Sequence, residues 1–141
     1  MIVDANVLLY ARNTDDPHHD VARRWIEDAL NGDTRVGLPW HTLGAFLRIV
    51  TNARAFPDPL TPDEASRQVE EWLDAPRAWV PQPSPEYRRV LGRLLRAHQA
   101  QSPLVTDAQL AALAIDHGVA LVSSDADFAR FAELRWIDPL R

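Results

Sequence analysis

Short apolar runs that alternate with longer amphipathic stretches constrain the fold of this chain more than any other feature. The apolar runs predict buried strands at residues 2–3, 36–38, 77–80, 119–122 and 134–137. Helical spacing of apolar residues predicts helices at 17–30, 42–51, 61–76, 84–97 and 107–117. Strands separated by helices form mostly parallel sheets, so the predicted class is α/β. Because no linker or repeat interrupts the pattern, we expect one domain over residues 1–141.

The composition is typical of a domain that folds around an apolar core. The 141 residues are 46% hydrophobic, which is sufficient for a core without disulfides or a structural metal. The absence of cysteine excludes thiolate zinc sites, iron–sulfur clusters and cysteine nucleophiles. No apolar run approaches the roughly 20 residues that span a bilayer. The N-terminal MIVD also lacks the regions of a signal peptide, so we expect a cytoplasmic protein without membrane contact.

The charge distribution argues against one class of nucleic-acid binder. The net charge is -5, all 15 cationic side chains are Arg, and Asp outnumbers Glu 14 to 6. An acidic chain does not fit proteins that bind nucleic acid mainly through a basic surface. A nuclease that holds metal ions with carboxylates is itself acidic at its site, so the positions of the Asp residues decide between the two classes.

Several aspartates stand where predicted strands end. Asp4 follows the first strand, with Asn6 beside it, while Asp125 and Asp127 follow the fourth strand and Asp107 opens the preceding helix. In a parallel sheet flanked by helices, reactive groups lie outside the carboxyl ends of the strands. Carboxylates that converge there repel one another, and oxygen ligands suit Mg²⁺ or Mn²⁺ as the counter-charge. The pattern predicts a metal site that activates water and neutralises charge on a phosphodiester.

Each of these aspartates also has a structural interpretation. Asp107 after Thr106 has the sequence of a helix N-cap, a role worth about 1 kcal/mol. Asp125 is placed to cap the turn that begins at Ala126, and Asp4 is placed to cap a helix that starts near Asn6. The spacing alone leaves the capping and metal-binding interpretations open.

Three segments together carry a resemblance to a known family. They read MIVDANVLLY, WHTLGAFLRIVTN and TDAQLAALAIDHGVALVSSDADFARF, and they resemble PIN domains, in particular the VapC-type ribonuclease toxins of bacterial toxin–antitoxin pairs. The resemblance covers nearly the whole chain. It implies a three-layer α/β/α sandwich around a short parallel sheet and Mg²⁺- or Mn²⁺-dependent endoribonuclease activity on RNA. It also implies a small antitoxin that occludes the active site, and a homodimer.

The resemblance assigns roles residue by residue. The metal-binding aspartates of the family match Asp4, Asp107 and Asp125, which are the expected catalytic residues. Asn6 matches the polar partner of the first aspartate, and Asp127 is an additional acidic position that we include among the expected metal ligands.

One departure from the family pattern bears on the metal. The family usually has a Glu in the helix that begins near Thr42, and the matching residue here is Ala45. Three aspartates still suffice for one ion with extra water ligands, but a second ion loses support. Asp127 is the acidic residue placed to compensate, and His41 is expected to pack or cap locally rather than to bind the ion.

Basic and aromatic residues are candidates for the RNA surface. Arg89, Arg93 and Arg96 recur at helical spacing and suit RNA phosphates, although a solvated helix face explains the same spacing. Arg48 is a weaker candidate for the border of the cleft, together with Arg54. Among the five Trp residues, only Trp40 stands next to the cleft-forming helix, where it can stack on a base.

Two other functions compete with the endoribonuclease. Ala45 supports a degenerate, non-catalytic PIN domain that binds RNA or an antitoxin, while the retained aspartates argue against it. A phosphohydrolase with Asp4 as nucleophile needs a second Asp two residues on and a Lys, whereas this chain has Asn6 and no Lys.

Overall fold

A five-stranded parallel sheet lies at the centre of the computed structural model, which describes residues 1–141. The strands, each two residues long, are β1 Ile2–Val3, β2 Val36–Gly37, β3 Ala78–Trp79, β4 Leu121–Val122 and β5 Trp136–Ile137. Their order across the sheet is β3-β2-β1-β4-β5, and every pairing is parallel. Because β1 lies between β2 and β4, the carboxyl ends of these three strands are neighbours at one edge.

Six α-helices and one 3-10 helix connect the strands. They are α1 Ala5–Arg12, α2 His19–Asn31, α3 Trp40–Val50, α4 Pro62–Asp74, α5 Tyr87–His98, α6 Pro103–Asp116 and the 3-10 helix Ala126–Arg130. Helices α1 to α4 pack on one face of the sheet, and α5 and α6 pack on the other. The predicted α/β/α sandwich is therefore confirmed. None of the helices combines the length and the apolar character that crossing a membrane requires.

Alternate residues of the central strands face two separate cores. Ile2 packs with α5 and α6, whereas Val3 packs with the first four helices. Leu121 and Val122 of β4 divide between the two cores in the same way. Successive strand residues point to opposite faces, so a sheet covered on both sides needs uninterrupted apolar strands. This requirement explains why the strands are visible in the sequence as short apolar runs.

Two helix ends follow their local sequence signals. Thr61 Oγ1 accepts a hydrogen bond from Glu64 N, and Glu64 Oε1 accepts one from Thr61 N, both at 3.1 Å. This reciprocal cap fixes the start of α4, with Pro62 as its first residue. Gly118, just beyond α6, has a φ of 65°, a conformation that residues with a Cβ rarely adopt.

Two helices differ from the prediction. The sequence predicts a helix start at Asp107, but α6 begins one turn earlier, at Pro103. Proline is favoured in the first turn of a helix, because backbone N–H groups there have no partner within the helix and the N–H that proline lacks is not needed. This signal outweighs the cap-like residues Thr106 and Asp107. Helix α1 was anticipated only as a helix that Asp4 caps, and the structure gives it eight residues.

Candidate metal centre

Asp4 occupies the junction between β1 and α1 and interacts with both sides of that junction. Its Oδ1 accepts a hydrogen bond from Ala5 N at 2.7 Å, so Asp4 does cap α1. Its Oδ2 accepts a hydrogen bond from Ser123 Oγ at 2.7 Å. The two interpretations of Asp4 are therefore compatible, because one oxygen caps the helix while the other faces the residues that follow β4.

Ser123 connects the polar residues at the carboxyl edge of the sheet. The residue is fully buried directly after β4. Its hydroxyl donates to Asp4 and accepts hydrogen bonds from Asn6 Nδ2 at 3.0 Å and from Asp125 N at 3.1 Å. All the hydrogen-bonding capacity of the hydroxyl is thus in use, which fixes Asp4, Asn6 and Asp125 relative to one another. Sequence analysis missed this role, although a hydroxyl between a buried strand and an aspartate was the available signal.

Asp107, Asp125 and Asp127 form the acidic cluster. One carboxylate oxygen of each residue lies within 4.8 Å of the corresponding oxygens of the other two. Asp125 Oδ1 also accepts a hydrogen bond from Asp127 N at 2.9 Å, which caps the 3-10 helix as the sequence suggested. The sequence therefore identified three residues that the fold does bring together, with Asp4 held to the same network through Ser123.

The capping interpretation of Asp107 is wrong. Residue 107 lies in the second turn of α6, whose N-cap position is Ser102. The hydrogen bonds of the chain include none to the Asp107 carboxylate, whereas Asp116 on the same helix accepts from Ser84 N at 2.8 Å. No structural role is therefore apparent for the Asp107 carboxylate, which lies beside two other acids.

The aspartates share one negative field. Burial raises the pKa of Asp107, and the charges of Asp125, Asp4 and Asp127 raise it further, while Arg130 opposes the shift. Burial also raises the pKa of Asp4; the hydrogen bonds from Ser123 and Ala5 lower it, and the charge of Asp125 raises it. Mg²⁺ and Mn²⁺ prefer oxygen ligands such as carboxylates, and a bound cation would offset the repulsion between them. The residues present therefore fit a divalent cation.

Helix α3 lines the site without a carboxylate. Thr42 Oγ1 donates to Val3 O at 2.7 Å, which ties the first turn of α3 to the strand that ends at Asp4. Burial lowers the pKa of the neighbouring His41, while the charge of Asp4 opposes this shift. Ala45 stands one turn further on and offers no ligand. The candidate ligands therefore lie directly after β1, in α6 and after β4.

The arginines of α5 are partly occupied by neighbouring acids. Arg89 forms an ion pair with Glu86 at 2.9 Å, and Arg93 forms one with Glu133 at 2.6 Å. Arg96 lines the same shallow surface depression as these two residues. The predicted stripe exists as a surface feature, but two of its three charges are balanced within the chain.

The chain belongs to the PIN domain family, whose model matches residues 1–134. Within that family, it is similar to the VapC ribonucleases. Ribonuclease VapC37 of Mycobacterium tuberculosis is 46% identical over 138 residues, which are 98% of this chain and 96% of that protein. Ribonuclease VapC33 of the same species is 44% identical over 141 residues, which are 100% of this chain and 99% of that protein. The resemblance found in the sequence is confirmed.

Solved structures share the fold. VapBC2 from Rickettsia felis, bound to a DNA fragment from its promoter, matches with a TM-score of 0.71 at 18% identity and covers 96% of each chain. Mycobacterium tuberculosis VapC20, a Sarcin-Ricin loop cleaving toxin, matches with a TM-score of 0.62 at 19% identity, over 95% of this chain and 98% of that one. At these identities the likeness establishes the fold, and the family rests on the sequence relatives.

Proposed function

We propose that this protein is a divalent-metal-dependent endoribonuclease, the toxin of a toxin–antitoxin pair. The observation that carries the proposal is the convergence of Asp107, Asp125 and Asp127, with carboxylate oxygens within 4.8 Å of one another, at the edge where Asp4 lies. The sequence relatives are named ribonucleases, which supports RNA as the substrate.

Asp4, Asp107 and Asp125 are the proposed catalytic metal ligands, and Asp127 is an additional one. A bound Mg²⁺ or Mn²⁺ supplies a nucleophilic water at neutral pH and neutralises the charge that develops on the phosphodiester. The chain prepares this site by holding Asp4 and Asp125 on the hydroxyl of Ser123. These hydrogen bonds fix the Asp4 side chain and the backbone of Asp125 at the proposed metal site.

Asn6 acts as a positioning residue. Its Nδ2 donates to Ser123 Oγ, and its Oδ1 accepts from Ser124 N at 3.4 Å. The amide thereby orients the serine hydroxyl so that its proton points to Asp4. A hydrogen bond to the ionised carboxylate favours the charged form that binds metal, against the opposing effect of burial.

Ala45 supports the second candidate, a non-catalytic PIN domain that binds RNA or an antitoxin. Without a carboxylate on α3, the site has fewer ligands than the family pattern implies. The experiment that separates the two functions is RNA cleavage by the purified protein in Mg²⁺, Mn²⁺ or EDTA, with Asp107→Asn as the inactive variant. Asp63→Asn is the matched control, since Asp63 is an exposed acid on α4 that pairs with Arg67.

Cleavage that requires the metal, is lost in Asp107→Asn and persists in Asp63→Asn would support the nuclease. A folded wild-type protein that cuts no RNA with either metal would favour the binding module.

We further propose an antitoxin partner, a homodimer and an RNA contact through Arg89, Arg93 and Arg96. The structural neighbours include VapBC2 and VapBC-1, which supports a partner protein. Sedimentation of the purified chain tests the dimer. Because Arg89 and Arg93 are already paired with acids, Arg96→Ala should weaken RNA binding more than Arg89→Ala does.

A further inference from the structure

Trp40 is an exposed aromatic residue at the start of α3. Its exposed fraction is 55%, and the only other large apolar side chain that is exposed is Val21, at 41%, on α2. Tryptophan is highly buried on average, so an indole that is more than half exposed is a candidate for contact with a ligand or partner. A protein interface usually presents a contiguous apolar patch, which a single exposed indole does not provide. A nucleic-acid base that stacks needs only one ring face.

The sheet register places Trp40 beside the candidate metal centre. Gly37 of β2 pairs with Ile2 of β1, in parallel. Asp4 is two residues beyond Ile2, and Trp40 is three residues beyond Gly37, so both lie at the carboxyl edge. The hydrogen bond from Thr42 to Val3 O fixes the first turn of α3 against β1. Trp40 therefore begins the helical turn that adjoins the candidate metal centre.

Gly44 lies one turn beyond Trp40 on the same side of α3 and faces open space. A Cβ built on Gly44 meets no atom within 4 Å, so packing does not require glycine at this exposed helical position. Glycine is unfavourable in a helix interior relative to alanine. Residues four apart are neighbours on a helix, and side chains lean toward its N-terminus, so a larger residue at 44 would lie against the indole. The glycine therefore leaves the helix surface one turn beyond Trp40 free of side chains.

Arg48 continues the same surface by one more turn. The residue is exposed, and it is a cation on a helix whose first half carries no acid. The positive charge of Arg48 attracts a polyanion such as RNA to this face. The surface thus combines an exposed indole with a phosphate-compatible charge.

We propose that the α3 face formed by Trp40, Gly44 and Arg48 binds the RNA substrate, with an unpaired base stacked on the indole in the space left by Gly44. This inference rests on the proposed ribonuclease function and adds the position of one substrate nucleotide. The base fixes the RNA chain so that the adjoining phosphodiester lies at the aspartates, and Arg48 attracts a neighbouring phosphate. Trp40 is thus a substrate-binding residue that does not take part in the chemical step.

The test combines cleavage kinetics with RNA binding to a short, labelled oligoadenylate in EDTA, where the proposed metal-dependent cleavage is suppressed. Stacking energies measured by alanine substitution correspond to losses of about 5- to 150-fold in affinity. We expect Trp40→Leu to raise KM and Kd by such a factor, with a much smaller change in kcat. Trp40→Phe keeps a ring and should retain most of the affinity, and Val21→Ala is the control for an exposed apolar residue elsewhere.

Gly44 provides a second pair of variants with opposite effects on folding and binding. Gly44→Leu should raise Tm, because it improves helix propensity and covers Trp40, and should also weaken RNA binding. Gly44→Ala should also raise Tm, and its smaller side chain should weaken binding less than Gly44→Leu does. A purely structural role for this surface predicts no loss of RNA affinity in a stabilised Gly44→Leu protein.

The outcomes separate this inference from the proposed function. If the wild type cleaves RNA and Trp40→Leu has unchanged KM and Kd, the inference fails and the ribonuclease stands. If Trp40→Leu binds RNA normally but loses self-association in sedimentation, Trp40 is a subunit contact and the inference is overturned. If the wild type cleaves nothing, the proposed function fails, and the Kd comparison in EDTA still decides whether Trp40 binds a base.

Discussion

Replacing Asp107 with Asn is expected to stabilise the metal-free protein and to abolish RNA cleavage. The substitution keeps the shape of the side chain and removes its charge. The Asp107 carboxylate lies within 4.8 Å of oxygens on Asp125 and Asp127 and appears in no hydrogen bond of the chain. The variant therefore loses repulsion without losing a structural interaction.

The magnitude of this stabilisation follows from Coulomb's law. Two unit charges 4.8 Å apart repel by about 0.9 kcal/mol in water and by about 3.5 kcal/mol at an effective dielectric constant of ~20. Asp127 is exposed and Asp107 only partly buried, so solvent screening keeps each pair near the lower value. With two acidic neighbours, Asp107→Asn should gain about 1–2 kcal/mol at low salt, or about 3–7 °C in Tm.

Thermal unfolding in EDTA at neutral pH measures this gain, and 1 M salt should reduce it because screening shortens the range of the repulsion. Mg²⁺ should raise the Tm of the wild type more than that of the variant, since binding to the folded state stabilises it. Asp116→Asn on the same helix is the control, because Asp116 accepts hydrogen bonds from Ser84 and its variant should lose stability. A loss of Tm in metal-free Asp107→Asn would refute the reasoning.

Three further variants test other parts of the site. Ser123→Ala should cost about 1–3 kcal/mol in urea unfolding, because it removes a buried hydroxyl that serves three partners, and should also weaken Mg²⁺ binding in a thermal-shift titration. The raised pKa values of Asp4 and Asp107 favour the folded state below the unfolded pKa, and this contribution is lost as pH rises through the folded pKa. In EDTA, an Asp4→Asn/Asp107→Asn double variant should therefore gain stability relative to the wild type as pH rises above the ordinary Asp pKa of about 4, and a gain that is independent of pH would contradict this. Ala45→Glu should lower the Mg²⁺ concentration at the thermal-shift midpoint, and an unchanged midpoint would show that position 45 is too distant to bind.

The sequence predicted the sheet because its strands are covered on both faces. A strand such as Leu121–Val122 needs apolar residues throughout, and this local requirement leaves a visible run. The start of α6 was less visible, because Thr106 and Asp107 have the residue types of a cap while Pro103 supplies the actual beginning. Such single-residue signals point to different starting residues for the same helix. In the structure, Gln99 and Ser102 have positive φ values of 47° and 52°, and α6 begins directly after Ser102.

The capping and metal-binding interpretations of the aspartates were treated as alternatives, and the structure separates them residue by residue. Asp4 and Asp125 each accept a hydrogen bond from the backbone of the following helix, so they cap helices and also lie at the candidate metal centre. Asp107 caps nothing. A carboxylate has two oxygens with several lone pairs, so an oxygen that accepts one hydrogen bond keeps a further lone pair for a cation.

Ser123 shows which part of the site a single sequence does not reveal. Its hydroxyl is 119 positions from Asp4 along the chain, and the two meet only because β1 and β4 pair side by side. Serine between a strand and an aspartate is common in turns, so its residue type alone carries little information. Burial gives it significance, since a fully buried hydroxyl needs partners and here it finds them in Asp4, Asn6 and Asp125. The acidic cluster is therefore readable from sequence, while the hydroxyl that connects Asp4 and Asp125 follows from the strand order.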